Sequence, residues 1–198
     1  MKLWTVQPVE VYEELKEQGV LHTDISLSPL YGPVDGVVCH PLRKAYGWLA
    51  GRMEEKVGKP EGASYPWWAW HTRRGKHAKP DLREAGYGQR GEKLVCLELE
   101  MPDEEVILSD FDLWCFCISD FRIPGAIDGD EAEMEKEEAW YKSLGQEEQE
   151  RMKLNSWEVL FDVEPGVEGP DGTGSWIQAA FWELRLANVR KAVYFTAR

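Results

Sequence analysis

An α+β fold is what this sequence predicts: one domain whose mainly antiparallel or mixed sheet is flanked by helices. Three observations carry that expectation. Stretches of two-residue alternation and stretches of helical spacing both occur, but they do not alternate regularly as a doubly wound fold requires. No internal repeat divides the chain. Its 198 residues, 43% of them hydrophobic, suffice to bury a core without disulfide staples. Residues 1–198 are therefore expected to form a single globular domain, with mobile loops at 73–91 and 165–175.

The elements follow in order. Residues 3–6 read as a short strand. Pro8 then suits a first helical turn, and Val11, Tyr12 and Leu15 continue its apolar stripe until Gly19 closes the helix. Residues 24–38 are rich in Pro, Gly and Ser and read as a loop. A second helix begins near Pro41, buries Leu42, Ala45, Tyr46, Leu49 and Met53, and ends at Gly58; Gly47 and Gly51 share a face that permits close packing. Residues 65–72, YPWWAWHT, form an aromatic strand. In 94–101, Val95, Leu97, Leu99 and Met101 point one way and Glu98 and Glu100 the other, a half-buried strand. Pro102-Asp103 turns the chain into a short partner strand at 106–108.

Ser109 and Asp112 have capping-box spacing, followed by Phe111, Trp114, Cys115 and Ile118 at helical intervals. Asp128 and Glu131 open an acidic helix that ends near Gly145, and Ser143 with Gln146 opens the next. Trp157, Leu160 and Phe161 make a last helical turn. Residues 165–175 are a Gly-rich loop, and 176–184 and 192–196 are the last two strands, expected to be antiparallel.

Charge narrows the function classes. Thirty-six acids against 23 bases leave −13, a field that favours solubility and repels nucleic acid at long range. No apolar run is long enough to span a bilayer and no secretory signal opens the chain, so the cytoplasm is the expected location. Cys39, Cys96, Cys115 and Cys117 sit in apolar segments and read as reduced core residues; no C-x-x-C exists, and no metal site is expected.

The densest chemistry lies in 65–93. Trp67, Trp68 and Trp70 precede His71, Arg73, Arg74, Lys76, His77, Lys79 and Arg83, and between His71 and Lys93 seven bases face three acids. Guanidinium forks and flat indoles suit a phosphate, a carboxylate or a nucleotide. The plainer reading is that these tryptophans are core and the loop merely solvated. Asp81 can hold Arg83 or Arg73 in place, or simply cap its own turn. Asp110 and Asp112 offer two carboxylates for acid/base work, against the commoner role of satisfying free N–H groups at a helix start. Late in the chain Gln178 shares a strand face with Trp176 and Trp182, where it can orient a polar ligand or pair with backbone at a sheet edge; Glu183 lies on the other face. P-loop, dinucleotide, nucleophile-elbow and zinc-protease motifs are all missing.

Several segments taken together resemble a known family. Leu3-Trp4-Thr5-Val6-Gln7, the YPWWAW strand, Lys79-Pro80-Asp81-Leu82-Arg83, Ser109-Asp110-Phe111-Asp112-Leu113-Trp114, Ser156-Trp157-Glu158 and the segment 177–184 occur in the order seen in the bacterial domain of unknown function 3841. That resemblance covers nearly the whole chain and implies one intact domain, with no activity, cofactor or catalytic residue attached. At the level of fold the chain also resembles ADP-ribosyltransferase-like domains. Those carry an Arg or His on the first strand and a late Gln/Glu-x-Glu pair; Trp4-Thr5 stand at the first place here, and Gln178 is followed by Ala180.

The leading expectation is a domain that binds a small anionic or nucleotide-type ligand in a cleft lined by Trp4, Trp68, Trp70 and Gln178, with Arg73, Arg74 or Arg83 meeting the anion and Asp81 in support. One rival is an ADP-ribosyltransferase-like enzyme acting on NAD or nucleotides, with Glu183 or Asp110 as the working carboxylate. The other is a partner-binding or toxin-like protein that docks a basic surface on its acidic helix at 131–150. No cofactor is implied by the residues alone.

Overall fold

In the computed structural model, residues 1–23, 41–125, 130–163 and 174–198 are described. The elements run β1 (Lys2–Pro8), α1 (Val9–Gln18), β2 (Val20–Leu21), α2 (Pro41–Val57), β3 (Trp67–Thr72), β4 (Lys93–Glu100), β5 (Ile107–Asp110), α3 (Phe111–Ile118), α4 (Glu131–Ser143), α5 (Gln146–Ser156), β6 (Ile177–Phe181), β7 (Leu184–Arg185) and β8 (Val189–Thr196). Single 3-10 turns occupy Asp103–Glu105, Trp157–Phe161 and Leu186–Asn188. The six longer strands make one sheet in the order β5-β6-β3-β1-β4-β8, antiparallel at every pair, and β2 pairs with β7. This is the expected α+β domain.

Two apolar layers hold the sheet. On one face Leu3, Ala69, Val95, Leu97, Leu99, Ala179 and Phe181 pack with Leu15 of α1 and with Leu21 and Leu184 of the small sheet. On the opposite face, at the β5-β6-β3 side, Ile107, Ala180 and Trp68 lie under Ala45, Leu49 and Met53 of α2, Trp114 and Cys117 of α3, and Trp157 and Leu160. Each leucine, valine, isoleucine, phenylalanine or methionine among them that is removed fully from water contributes about 1.5–3 kcal/mol. α1 ends as its sequence predicts: Gly19 takes φ 80° and its N–H reaches the Leu15 carbonyl at 2.8 Å.

Strand β4 is buried on both faces over Leu94–Leu97 rather than half-buried. The segment 73–91 lies across its second face, placing His77 against Trp4 and Tyr87 against Phe195. β5 is not the hairpin partner of β4. The 3-10 turn at Asp103–Glu105 carries the chain to the opposite edge, where β5 pairs with β6. Likewise β6 and β8 are not neighbours, since β6 sits between β5 and β3 while β8 pairs with β4.

Several helix starts shift. Asp110, not Ser109, caps α3: its carboxylate accepts from the Leu113 N–H at 2.9 Å, while Ser109 belongs to β5 and is turned under the helical layer. Asp130 caps α4, and Gly145, without a side-chain cap, opens α5; Asp128 lies outside the described residues. Cys96 and Cys117 are buried, but Cys115 is exposed because it lies on the outer side of α3; Cys39 is outside the described residues. Gly47 and Gly51 are exposed, with nothing within 4 Å of where a Cβ would stand, so they mark no close packing. The expected loop at 24–38 also lies outside the described residues, as does most of 165–175.

Candidate functional site

Strand register assembles a row of side chains from distant parts of the sequence. Ser109 stands opposite Gln178, Gln178 opposite Trp70, Trp70 opposite Trp4, and Trp4 opposite Glu98. Directly opposed residues of antiparallel strands point to one face with Cβ atoms about 5 Å apart. The row therefore crosses five strands on the face that carries α2 and α3. Helices cover its Ser109 end, where the side chain is fully buried, and the 73–91 segment covers its Trp4 end. Trp4 donates its Nε1–H to Glu98 Oε2 at 3.4 Å, and Lys2 Nζ lies 3.2 Å from the other Glu98 oxygen. In the middle of the row, Gln178 Oε1 is buried without a hydrogen-bond partner, as is the Ser109 hydroxyl.

A tight turn brings the cations to this row. Arg73 and Lys76 exchange backbone hydrogen bonds of 3.0 and 3.1 Å, and the two residues between them, Arg74 and Gly75, have φ of 52° and 71°. Positive φ at both central positions is the mirror-image geometry that closes two-residue hairpins. The Gly75 N–H donates to the Ser175 carbonyl at 2.9 Å, and Gly174 passes so close that an added Cβ would sit 2.5 Å from the Gly75 nitrogen. Two backbones in contact thus fix the turn against the chain entering β6.

The result is a guanidinium among aromatic rings. Arg73 Cζ lies 5.1, 5.0 and 5.2 Å from the ring centroids of Trp70, Trp176 and Tyr87, within cation–π range. Its Nη2 meets Glu84 at 3.0 Å and its Nη1 donates to the Tyr87 hydroxyl. Arg74 lies 5.7 Å from the Trp176 ring and 3.3 Å from the other Glu84 oxygen. Phe111 completes the aromatic group, 5.3 Å from Trp70. A hollow of about 450 Å³ opens beside these arginines, lined also by Lys76, Lys79, Asp81 and Glu84. Its cations exceed its carboxylates, so it can accept an anion.

The sequence candidates divide. Trp4, Trp70, Gln178 and Arg73 come together, and Arg74 joins them through Trp176. Trp68 shares the face but lies in the core between Tyr46 and Trp114, with its Nε1 buried and unpartnered. Arg83 is exposed and clasped by Asp81, which accepts from Arg83 N, Nε and Nη2; those hydrogen bonds hold the Asp81 carboxyl well below its ordinary range. Asp110 caps α3. Glu183 belongs to another cluster. His22 Nε2 lies 2.8 Å from its Oε1, Arg185 Nε donates to its Oε2 at 3.0 Å, and Arg185 reaches on to Glu105 at 2.6 Å. Burial alone would raise the Glu183 carboxyl, but the Arg185 and His22 hydrogen bonds outweigh it and keep the group ionised below its ordinary value.

Comparison places the chain in a family. A model for a domain of unknown function (DUF3841) matches residues 2–190. The chain belongs to the DUF3841 family. Comparison with curated proteins and with solved structures gave no match. The DUF3841 match spans β1 to the start of β8, and so contains the whole row from Ser109 to Glu98 and the turn that carries Arg73. No group of three or more His, Cys, Asp or Glu among the described residues is placed to hold a metal, and no described helix is long and apolar enough to cross a membrane.

Sequence reasoning on this DUF3841 chain missed Ser109, read as a cap, and the partners Tyr87 and Glu84. The last glycine before β6 was the available signal, since a glycine can mark close approach of another backbone, which is what Gly174 provides.

Proposed function

We propose that this domain binds a small anionic ligand of the nucleotide type where the 73–76 turn meets Trp70, Trp176 and Gln178. One observation carries the reading: a guanidinium held among three aromatic rings borders both a cation-rich hollow and a sheet row with unpartnered polar atoms. Phosphates would meet Arg74, Lys76 and Lys79, which have exposed side chains. Gln178 Oε1 accepts a hydrogen bond, which suits the polar edge of a base or sugar. A buried polar atom left unpaired lowers stability until a ligand supplies the missing partner.

Isothermal titration with ATP, NAD and nucleoside monophosphates tests this. The expected result is saturable binding that weakens at least tenfold in Lys76→Ala/Lys79→Ala, while Gln178→Leu weakens nucleotides but leaves inorganic pyrophosphate unaffected. Absence of heat and of thermal stabilisation with the whole panel would remove the reading.

A specific observation favours a second reading, docking of a basic partner on α4. That helix buries no residue and leaves Met134 and Trp140 exposed beside Glu131, Glu133, Glu135, Glu137 and Glu138. Salt-sensitive capture of a basic partner, abolished by Glu131→Lys/Glu135→Lys, is its expected behaviour; capture retained in that variant counts against it. Glu183 lies in the His22–Arg185 cluster, apart from the Arg73 turn, so no working carboxylate is assigned to the anion hollow.

A further inference from the structure

The cationic surface does not stop at the hollow beside Arg73. A second, wider hollow of about 750 Å³ is lined by Arg83, Arg90 and Arg198, with Leu82 and Phe195 as an apolar wall and Gly91 and Thr196 at its margin. The two are consecutive along one turn of chain: Lys79, Pro80 and Asp81 border the first, and Leu82 and Arg83 border the second. Gly91 and Ala197 tie the second hollow to the sheet, the Gly91 N–H donating to the Ala197 carbonyl at 2.9 Å. Together they present seven cationic side chains, Arg73, Arg74, Lys76, Lys79, Arg83, Arg90 and Arg198, against the carboxylates of Asp81 and Glu84. Both carboxylates are already engaged by arginines.

This patch gathers seven of the 23 lysines and arginines of a chain whose net charge is −13. Exposed charges are screened beyond about 8–10 Å at ordinary salt, and a polyanion at contact therefore meets the patch and not the acidic remainder. We propose that the two hollows form one track for single-stranded nucleic acid, its phosphates meeting the arginines and lysines and one base lying against Leu82 and Phe195. The proposal goes beyond the small-ligand reading and adds Arg83, Arg90 and Arg198 to the surface. A single strand is the favoured polyanion for two reasons. Its bases are free to lie on an apolar wall, whereas those of a duplex are stacked away. Moreover, the residues lining the two hollows come from turns and the end of β8, and none of them lies on a described helix of the kind that enters a major groove.

The test is fluorescence anisotropy of the full chain with labelled oligothymidylate and oligouridylate of about 15 nucleotides, alongside a trinucleotide, a duplex and polyglutamate. If about five phosphates are contacted, affinity falls about a hundredfold between 50 and 200 mM salt. Arg83→Glu/Arg90→Glu is expected to lose the long strand by tenfold or more while mononucleotide binding at the Arg73 hollow persists. Arg90→Glu/Arg198→Glu does the same without disturbing the Asp81–Arg83 clasp. Equal affinity for the trinucleotide and the 15-mer, unchanged strand binding in both variants, or polyglutamate or duplex binding as tight as the single strand would each overturn the proposal. Loss of mononucleotide binding alone, with the strand still held, would count against the small-ligand reading only.

Discussion

Replacing Gly174 by alanine is expected to release the turn that holds Arg73 and Arg74. Two costs arise if the structure stays as it is. Gly174 has φ 80°, a conformation that costs an L-residue about 1–2 kcal/mol. The new Cβ would also stand 2.5 Å from the Gly75 nitrogen and 2.6 Å from the Arg74 carbonyl carbon, and such overpacking costs about 1–3 kcal/mol or more. Release relieves the second cost. It gives up the Gly75–Ser175 hydrogen bond, worth about 0.5–1.5 kcal/mol, and the contacts of Arg73 and Arg74 with Trp176, each about 0.5–1 kcal/mol. Undocking and compression therefore cost about the same, and the net loss comes to about 2–5 kcal/mol. For a domain of this length that corresponds to a fall in Tm of about 4–20 °C. Thermal denaturation measures it, and limited trypsinolysis locates it, since cleavage after Arg73, Arg74 or Lys76 should accelerate before the rest of the chain is cut. Gly47→Ala is the control: it lies in α2 with open space around it and should gain about 0.5–1 kcal/mol from helix propensity. A Gly174→Ala protein that melts with the parent and resists trypsin equally would show that the backbone contact does not position the arginines.

Three further outcomes follow from burial and pairing. Ser109→Ala is expected to be neutral or to stabilise by up to about 1 kcal/mol in urea melts, because it deletes a buried hydroxyl with no partner; a loss above that would reveal a bond the side chain depends on. Stability should fall in acid through the cluster of Lys44, Lys153, Asp120 and Glu150. Burial raises Asp120 and Glu150, but the hydrogen bonds from Lys153 and Lys44 bring both below their ordinary values, so their contribution is complete at neutral pH and is lost as pH falls through the depressed range. Urea midpoints below about pH 4.5 should flatten in Lys153→Met, and an unchanged acid slope there would refute the assignment. Iodoacetamide at pH 8 should label Cys115 and spare Cys96 and Cys117, whose thiols burial pushes up to about 11 and about 12; peptide mapping that finds either one labelled in the native protein contradicts their burial.

Local pattern was legible wherever it depends on near neighbours. The spacing of Val95, Leu97 and Leu99 announces β4, and Gly19 announces the end of α1, because each signal lies within a few residues of the structure it makes. What failed depends on the partner. β5 was expected beside β4 because short connections favour hairpins, yet the turn at Asp103–Glu105 sends it to β6. The second buried face of β4 follows from a segment of turns lying on it, and nothing in the strand's own residues records that cover.

The candidate site shows the same divide and says where its specificity must come from. Trp70, Gln178 and Arg73 were legible as chemistry, since indole, amide and guanidinium are unusual neighbours in so short a list of options. Their convergence was not legible, because Trp4, Trp70, Ser109 and Gln178 become adjacent only through the strand order β5-β6-β3-β1. A one-residue slip of β6 would turn Gln178 to the opposite face and bring Ala179 into the row. Sheet register therefore controls the polar half of the site, while the contact between Gly75 and Gly174 controls the cationic half. The two halves meet at Trp70, which stands opposite Gln178 in the sheet and lies 5.1 Å from the Arg73 guanidinium. Trp70→Leu should accordingly uncouple them, leaving the fold and each half intact while nucleotide binding loses the energetic coupling between Arg73 and Gln178. If a double-mutant cycle between Arg73 and Gln178 keeps the same coupling in that background, the indole is not the joint between them.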